Sequence, residues 1–404
     1  MVKSRMMALG ITASVLGMLT AGTVAMGGAQ TGASQAAGTE SGERTIEDGG
    51  TGKYKAVAVT NSGIATHTIY RPKDLSAFGD KEKLPILAWG NGGCANSNSG
   101  HQNYLSEIAS HGYLLVAIGP MSAGGGRGGP GGGGQAAGGA AAPTGGTMLQ
   151  AINWAIAQNE DRQSPYYHKV NTSKVAVFGH SCGGLQALEL AADPRISTIL
   201  VVDSGLFNDG AAPGGGGGRG GPGGGAGRGG PGGGPGGGAG RGAPGGNNLV
   251  AQGPGGGRGP GGGAPGGAPG AGAGRGGPGG APGGAPGGGG GAPRGGGMPS
   301  LPKEHLAKIH SPVLYLLGGE TDIAYANGMD DFKRIEKVPV FVANKGVGHG
   351  GTFTQPHGGD WAVVSVAWLQ WQLRGDATAG KLFTGNPPEL AKKEGFTFEK
   401  KNIP

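Results

Sequence analysis

The sequence predicts an α/β domain with an eight-stranded, mostly parallel sheet flanked by helices. Three observations carry this. Short, continuous apolar runs recur along the chain, as expected for strands buried on both faces. Helical patterns separate most of them, which implies parallel pairing through crossovers. Glycine, 100 of 404 residues, is concentrated in two blocks, 123–146 and 210–297, that fall between these elements.

The strand runs are 53–60 (KYKAVAVT), 64–70 (IATHTIY), 84–89 (LPILAW), 113–118 (YLLVAI), 174–178 (KVAVF), 198–203 (TILVVD), 312–317 (PVLYLL) and 338–343 (VPVFVA). The later ones are short, continuous and almost wholly apolar. Helical patterns cover 101–110, 147–158, 183–192, 302–309, 323–336 and 359–373. The domain therefore runs over 53–404, interrupted by the two blocks. Their GRGGPGGG-like units offer too little apolar surface to offset the entropy of ordering, so both blocks are expected to be disordered.

Ahead of the domain, Lys3 and Arg5 precede an apolar, small-residue stretch from Met6 to Met26, with small residues beyond it. This is the pattern of a secretory signal peptide, here placed at 1–29, and it implies a secreted or periplasmic protein without stable membrane insertion once the signal is removed. Residues 30–52, rich in Gly, Thr, Ser and Ala, read as a disordered linker. Export to an oxidising compartment makes a bond between the only two cysteines, Cys94 and Cys182, an expectation; two buried free thiols are the alternative.

The charge distribution narrows the partners. The chain carries a formal net charge of +7, and seven arginines lie in the glycine blocks: Arg127, Arg219, Arg228, Arg241, Arg258, Arg275 and Arg294. Without them 25 basic residues face 25 acidic ones. The folding part is nearly neutral, which argues against a nucleic-acid-binding domain. The Arg-Gly-Gly repeats lack the interleaved aromatics that would stack on RNA bases.

Residues 179–184 read Gly-His-Ser-Cys-Gly-Gly, directly after a strand and before a helical pattern. This is the spacing of a nucleophile elbow, in which small residues permit a strained turn that lifts the Ser181 hydroxyl above the sheet. A serine hydroxyl needs a base. Gly318-Gly319-Glu320-Thr321-Asp322 follows the seventh strand, and Gly346-Val347-Gly348-His349 follows the eighth. The chain order Ser181, Asp322, His349 suits a nucleophile, an acid that orients the base, and the base. Glu320 is the less favoured acid, and Asp203 is expected to cap a turn. His180 is expected to point away from the site. His101, His111 and His357 are expected on the surface or in packing. The backbone N–H groups of Cys182 and of the loop Gly90–Cys94 are candidate donors to an oxyanion.

With these stretches in place, the sequence resembles the α/β-hydrolase superfamily. Within it, the chain is similar to dienelactone-hydrolase-like and cutinase-type polyester hydrolases. The similarity rests on Glu107–Tyr113 (EIASHGY), the GHSCGG elbow, the ETDIA acid segment and the VGHGG loop, and extends over 53–122, 147–207 and 301–375. It implies an α/β-hydrolase fold and hydrolysis of a small-molecule carboxylic ester through an acyl-enzyme, without metal or organic cofactor. It also places Cys94 at the first oxyanion position and, through the family's sheet order, sets Cys94 and Cys182 on neighbouring strands, within reach of a disulfide. Two positions depart from the polyester hydrolases, which carry an aromatic residue and a methionine where this chain has Cys94 and Cys182. Aromatic polyesters are therefore not the expected substrates, and small soluble esters are expected over long-chain lipids because the sequence offers no apolar lid. Alternatives on the same framework are an acyltransferase, a peptidase, or a catalytically silent binding protein using its basic glycine-rich loops.

Overall fold

A computed structural model describes residues 38–121, 143–208 and 298–404. The expected signal peptide at 1–29, residues 30–37 of the expected linker, and the glycine blocks (save 143–146) lie outside the described residues.

The fold is an α/β arrangement around one mixed, mostly parallel sheet of ten strands, in the order β1-β2-β3-β5-β4-β6-β7-β8-β9-β10. The strands are β1 (Glu40–Arg44), β2 (Ala56–Asn61), β3 (His67–Pro72), β4 (Leu84–Gly90), β5 (Leu114–Ile118), β6 (Val170–His180), β7 (Ile196–Val202), β8 (Val313–Leu317), β9 (Val340–Lys345) and β10 (Phe396–Lys401). From β5 to β9 all neighbours pair in parallel, whereas β1, β2, β3 and β10 add antiparallel edges. The helices are α1 (Gln102–Ser110), α2 (Gly145–Glu160), α3 (Cys182–Glu189), α4 (Tyr325–Arg334), α5 (Gly359–Arg374) and the single turn α6 (Ala377–Gly380).

The pleat divides each central strand between two cores. Ile86, Val177, Ile199, Tyr315 and Val342 face one side, where Trp154 of α2 and Leu188 of α3 pack. Leu87, Phe178, Leu200, Leu316 and Phe341 face the other, against Tyr104 of α1 and Trp361 and Trp368 of α5. Burial on both faces explains why these strands read as unbroken apolar runs.

Three expectations need correction. The sheet has ten strands, not eight. The added β1 and β10 are edge strands, half exposed and polar, so they lack a continuous apolar run. The linker expected to be disordered over 30–52 contains β1, and its last residues are tied down. Thr51 N–H donates to Glu107 Oε2 at 2.8 Å and Gly52 N–H to Ser110 Oγ at 2.9 Å. The helix expected over 302–309 is a 3-10 turn, Lys303–Lys308.

On either side of residues 209–297 the chain is held by one buried carboxyl group. Asp331 Oδ2 accepts the Leu206 N–H at 2.8 Å and the Tyr315 hydroxyl at 3.2 Å, while Asp331 Oδ1 accepts from Lys303 Nζ at 2.6 Å. Leu206 and Lys303, which flank residues 209–297 in the chain, are thus held by the same residue of α4.

Candidate active site

The candidate residues meet at the carboxyl ends of the parallel strands. Ser181 lies between β6 and α3 with φ 52° and ψ −115°, a conformation that L-residues rarely adopt. The surrounding packing explains how it is held. A Cβ on Gly179 would lie 2.4 Å from the carbonyl carbon of Gly183, and one on Gly183 would lie 2.0 Å from the Gly90 oxygen. Glycine at both positions is therefore a steric requirement of this turn, not a reflection of composition. Ser181 N–H donates to Val202 O at 2.9 Å, and the Ser204 hydroxyl donates to Ser181 O at 2.6 Å.

The sequence candidates for base and acid complete a chain of hydrogen bonds. The Ser181 hydroxyl donates to His349 Nε2 at 2.9 Å, and His349 Nδ1 donates to Asp322 Oδ1 at 2.6 Å. Asp322 is buried and also accepts the N–H groups of Ala324 at 2.9 Å and Gly318 at 3.2 Å. Burial works against its charge, but the bonds from His349, Ala324 and Gly318 outweigh it and hold the carboxyl below the usual carboxylate range. Glu320, the less favoured acid, is exposed.

Of the other histidines, one departs from expectation. His180 does not point away from the site: its Nε2–H donates to the carbonyl oxygen of His349 at 2.8 Å, and the two rings lie 5.1 Å apart. His101 packs against Trp89 and Phe353 and donates to His180 Nδ1 at 3.3 Å. Burial pushes His180 down to about 4, against the opposing bond to His349, and pushes His101 lower as well. Both rings are neutral near pH 7, and His101 supports His180, which holds the His349 backbone. His111 pairs with Glu107, and His357 with Glu47, away from the chain of bonds.

Asp203 is a second correction. It caps no turn; it is fully buried beside Asp322, and Oδ2 accepts the Trp361 indole N–H at 3.1 Å. Its position at the end of β7 is visible in the sequence, but its neighbour is set by the pairing of β7 with β8.

Cys94 and Cys182 form a disulfide with Cα atoms 5.2 Å apart, so the free-thiol alternative does not hold. Cys94 ends a 3-10 turn, Gly92–Cys94, after β4, and Cys182 opens α3 after the neighbouring β6. Cys182 N–H is one of the N-terminal amides for which a helix has no internal acceptor. The bridge ties together the two loops that carry the candidate oxyanion donors.

Among the described residues no group of histidine, cysteine and carboxylate side chains has the makings of a metal site, and no helix is long and apolar enough to cross a membrane. No family model matches the chain, and no curated protein sequence matches it.

Proposed function

We propose that this chain is an exported serine hydrolase of the α/β-hydrolase fold that cleaves small carboxylic esters through an acyl-enzyme. One observation carries the reading: the unbroken line Ser181 Oγ, His349 Nε2, His349 Nδ1, Asp322 Oδ1, with links of 2.9 and 2.6 Å, on a serine held in a strained turn. The sheet order supports the fold. Counted from β2 to β9, eight strands run with β5 between β3 and β4, and the acid and base follow β8 and β9. The disulfide supports an oxidising destination.

In the proposed cycle His349 Nε2 takes the Ser181 proton as Oγ attacks the ester carbonyl carbon. Charge on the carbonyl oxygen is met by the backbone N–H groups of Cys94 and Cys182. The imidazolium, stabilised by Asp322, returns its proton to the leaving alcohol, and an acyl group remains on Oγ. Water then repeats the sequence through the same base and releases the acid.

Turnover of p-nitrophenyl butyrate by the full chain tests this reading, with Ser181→Ala as the control. Hydrolysis that disappears in the variant supports it. Folded protein without turnover would instead favour a binding protein on this fold.

A further inference from the structure

The pairing of β7 with β8 brings a second carboxyl group to the acid of the site. Val202 and Leu316 are in register, so Asp203, which follows β7, emerges beside the loop that carries Asp322. Asp203 has φ 43°, in the left-handed region, and its N–H donates to Leu316 O at 2.7 Å. Its side chain is fully buried. The His349 loop closes over it: a Cβ on Gly351 would lie 2.9 Å from Asp203 Oδ2 and 2.4 Å from the Trp361 indole nitrogen.

The hydrogen-bond inventory is one donor short. Asp203 Oδ2 accepts from Trp361, and Asp322 accepts from His349, Ala324 and Gly318. Asp203 Oδ1 is buried and makes no hydrogen bond of good geometry; the groups that act on its carboxyl are Asp322 and the Gly318 N–H, which already donates to Asp322 Oδ2 at 3.2 Å. A buried acceptor facing another carboxyl group is costly unless a proton lies between them.

We propose that Asp203 is a positioning residue for the acid of the triad: it carries the one proton of the carboxyl pair and donates it from Oδ1 to Asp322, fixing the orientation in which Asp322 Oδ1 meets His349. The proposal rests on reading Ser181, His349 and Asp322 as a catalytic triad. Burial, then the charge of Asp322, pushes Asp203 well above the usual carboxylate range, while Asp322 is held below it; the proton therefore resides on Asp203. The other titratable groups acting on this pair are His349 on Asp322, Tyr104 of α1 on Asp203, and His180 on Asp322. With one proton the pair bears one negative charge, matching the single positive charge of the imidazolium formed in the cycle. A second negative charge would hold the imidazolium too firmly for it to return its proton to the leaving group.

The test uses the full chain with Asp203→Asn, Asp203→Leu and Ser181→Ala, p-nitrophenyl butyrate as substrate, and melting curves from pH 4 to 8. Asparagine supplies an amide N–H for Asp322 and an oxygen for Trp361; leucine keeps the volume and removes the donor. Asp203→Leu is expected to lower kcat about tenfold or more with KM within about twofold, and Asp203→Asn to restore kcat to within about threefold of wild type.

Stability supplies a second readout. An unfolded aspartate ionises near 3.9, whereas folded Asp203 keeps its proton to higher pH, so its contribution is whole below about pH 4 and is lost as pH rises. Asparagine has no such loss. Relative to wild type, Asp203→Asn should therefore gain about 3 °C or more in Tm between pH 4 and pH 8. The proposal is overturned if Asp203→Asn is as impaired as Asp203→Leu, if Asp203→Leu keeps wild-type kcat, or if the Tm difference stays constant with pH. Should the leucine variant fail to fold, the asparagine variant decides alone. Ester turnover retained by Ser181→Ala would refute the triad itself, whereas the Tm difference reports the Asp203 proton whatever reaction the protein performs.

Discussion

The elbow sets local helix propensity against backbone packing, and Gly183→Ala decides between them. Gly183 lies in the first turn of α3, where alanine is preferred over glycine by up to about 1 kcal/mol. Propensity alone would make the substitution stabilising. The packing says otherwise. The new Cβ would meet Gly90 O at 2.0 Å and Gly90 C at 2.2 Å, both backbone atoms of β4 that no rotamer change can move. Ordinary contact begins at 3.4 Å, so β4 and α3 must separate by about 1 Å or more. Overpacking of this kind costs about 1–3 kcal/mol, more than the propensity gain. A net loss of about 1–2 kcal/mol lowers Tm by about 3–6 °C in a domain of this size. The same displacement parts Cys182 from the Cys94 loop, and a misplacement of about 1 Å at reacting groups costs about 100-fold in rate. Melting curves and ester kinetics on Gly183→Ala measure both terms, with Gly146→Ala, at an exposed position in the first turn of α2 where the new Cβ meets only the Thr144 hydroxyl at 3.3 Å, as the control that reports propensity without the backbone clash. A variant with raised Tm and wild-type kcat would refute the packing argument.

Four further outcomes are expected. Ser181→Ala and His349→Ala each abolish ester turnover, and the double variant is no worse than either, because the two act as a unit. Cys94→Ser lowers kcat more than it raises KM, and loss of a bridge spanning 88 residues costs about 2–5 kcal/mol in denaturant unfolding. Asp331→Ala leaves the Leu206 N–H unpaired and Lys303 with only Asp330 (at 3.0 Å) as an acidic partner, and should cost about 3 kcal/mol by the same measurement. Burial pushes His67 down to about 4, so its neutral form is part of the fold. The unfolded chain takes up that proton near pH 6.5 and the folded chain only near 4, so stability is lost as pH falls through this window. Denaturant unfolding of wild type and His67→Asn should differ in this loss by about 3 kcal/mol, and parallel curves would contradict it.

Much of the site is legible in the sequence because its chemistry sits where chain and strand ends coincide. Ser181, Asp322 and His349 each follow a strongly apolar strand within a few residues, so the direction of the sheet alone delivers them to one end. What the sequence hides depends on contacts across the sheet. Asp203 can be placed at a strand end, but its partner Asp322 depends on β7 and β8 being neighbours. His180 turns toward the site, against expectation, because the direction of a side chain next to a strained residue follows from the turn's dihedral angles, which residue identity does not supply. β1 (ESGER) has no apolar residue to mark it; among the described residues it pairs only with β2, and its polar side chains suit an exposed edge. β10 (FTFEKK) does carry a signal, the alternation Phe396, Phe398, but for one half-buried face only. The clamp on Asp331 joins Leu206 and Lys303 across nearly a hundred residues, a distance no local pattern spans.

The central claim is that Ser181 is the nucleophile and His349 its base. Intact-mass and peptide analysis of the full chain after reaction with a p-nitrophenyl alkylphosphonate tests it most directly. A single adduct on Ser181, formed as esterase activity disappears and absent from His349→Ala, is the expected result. Ester hydrolysis that continues without an adduct, or an adduct on any other residue, would contradict it.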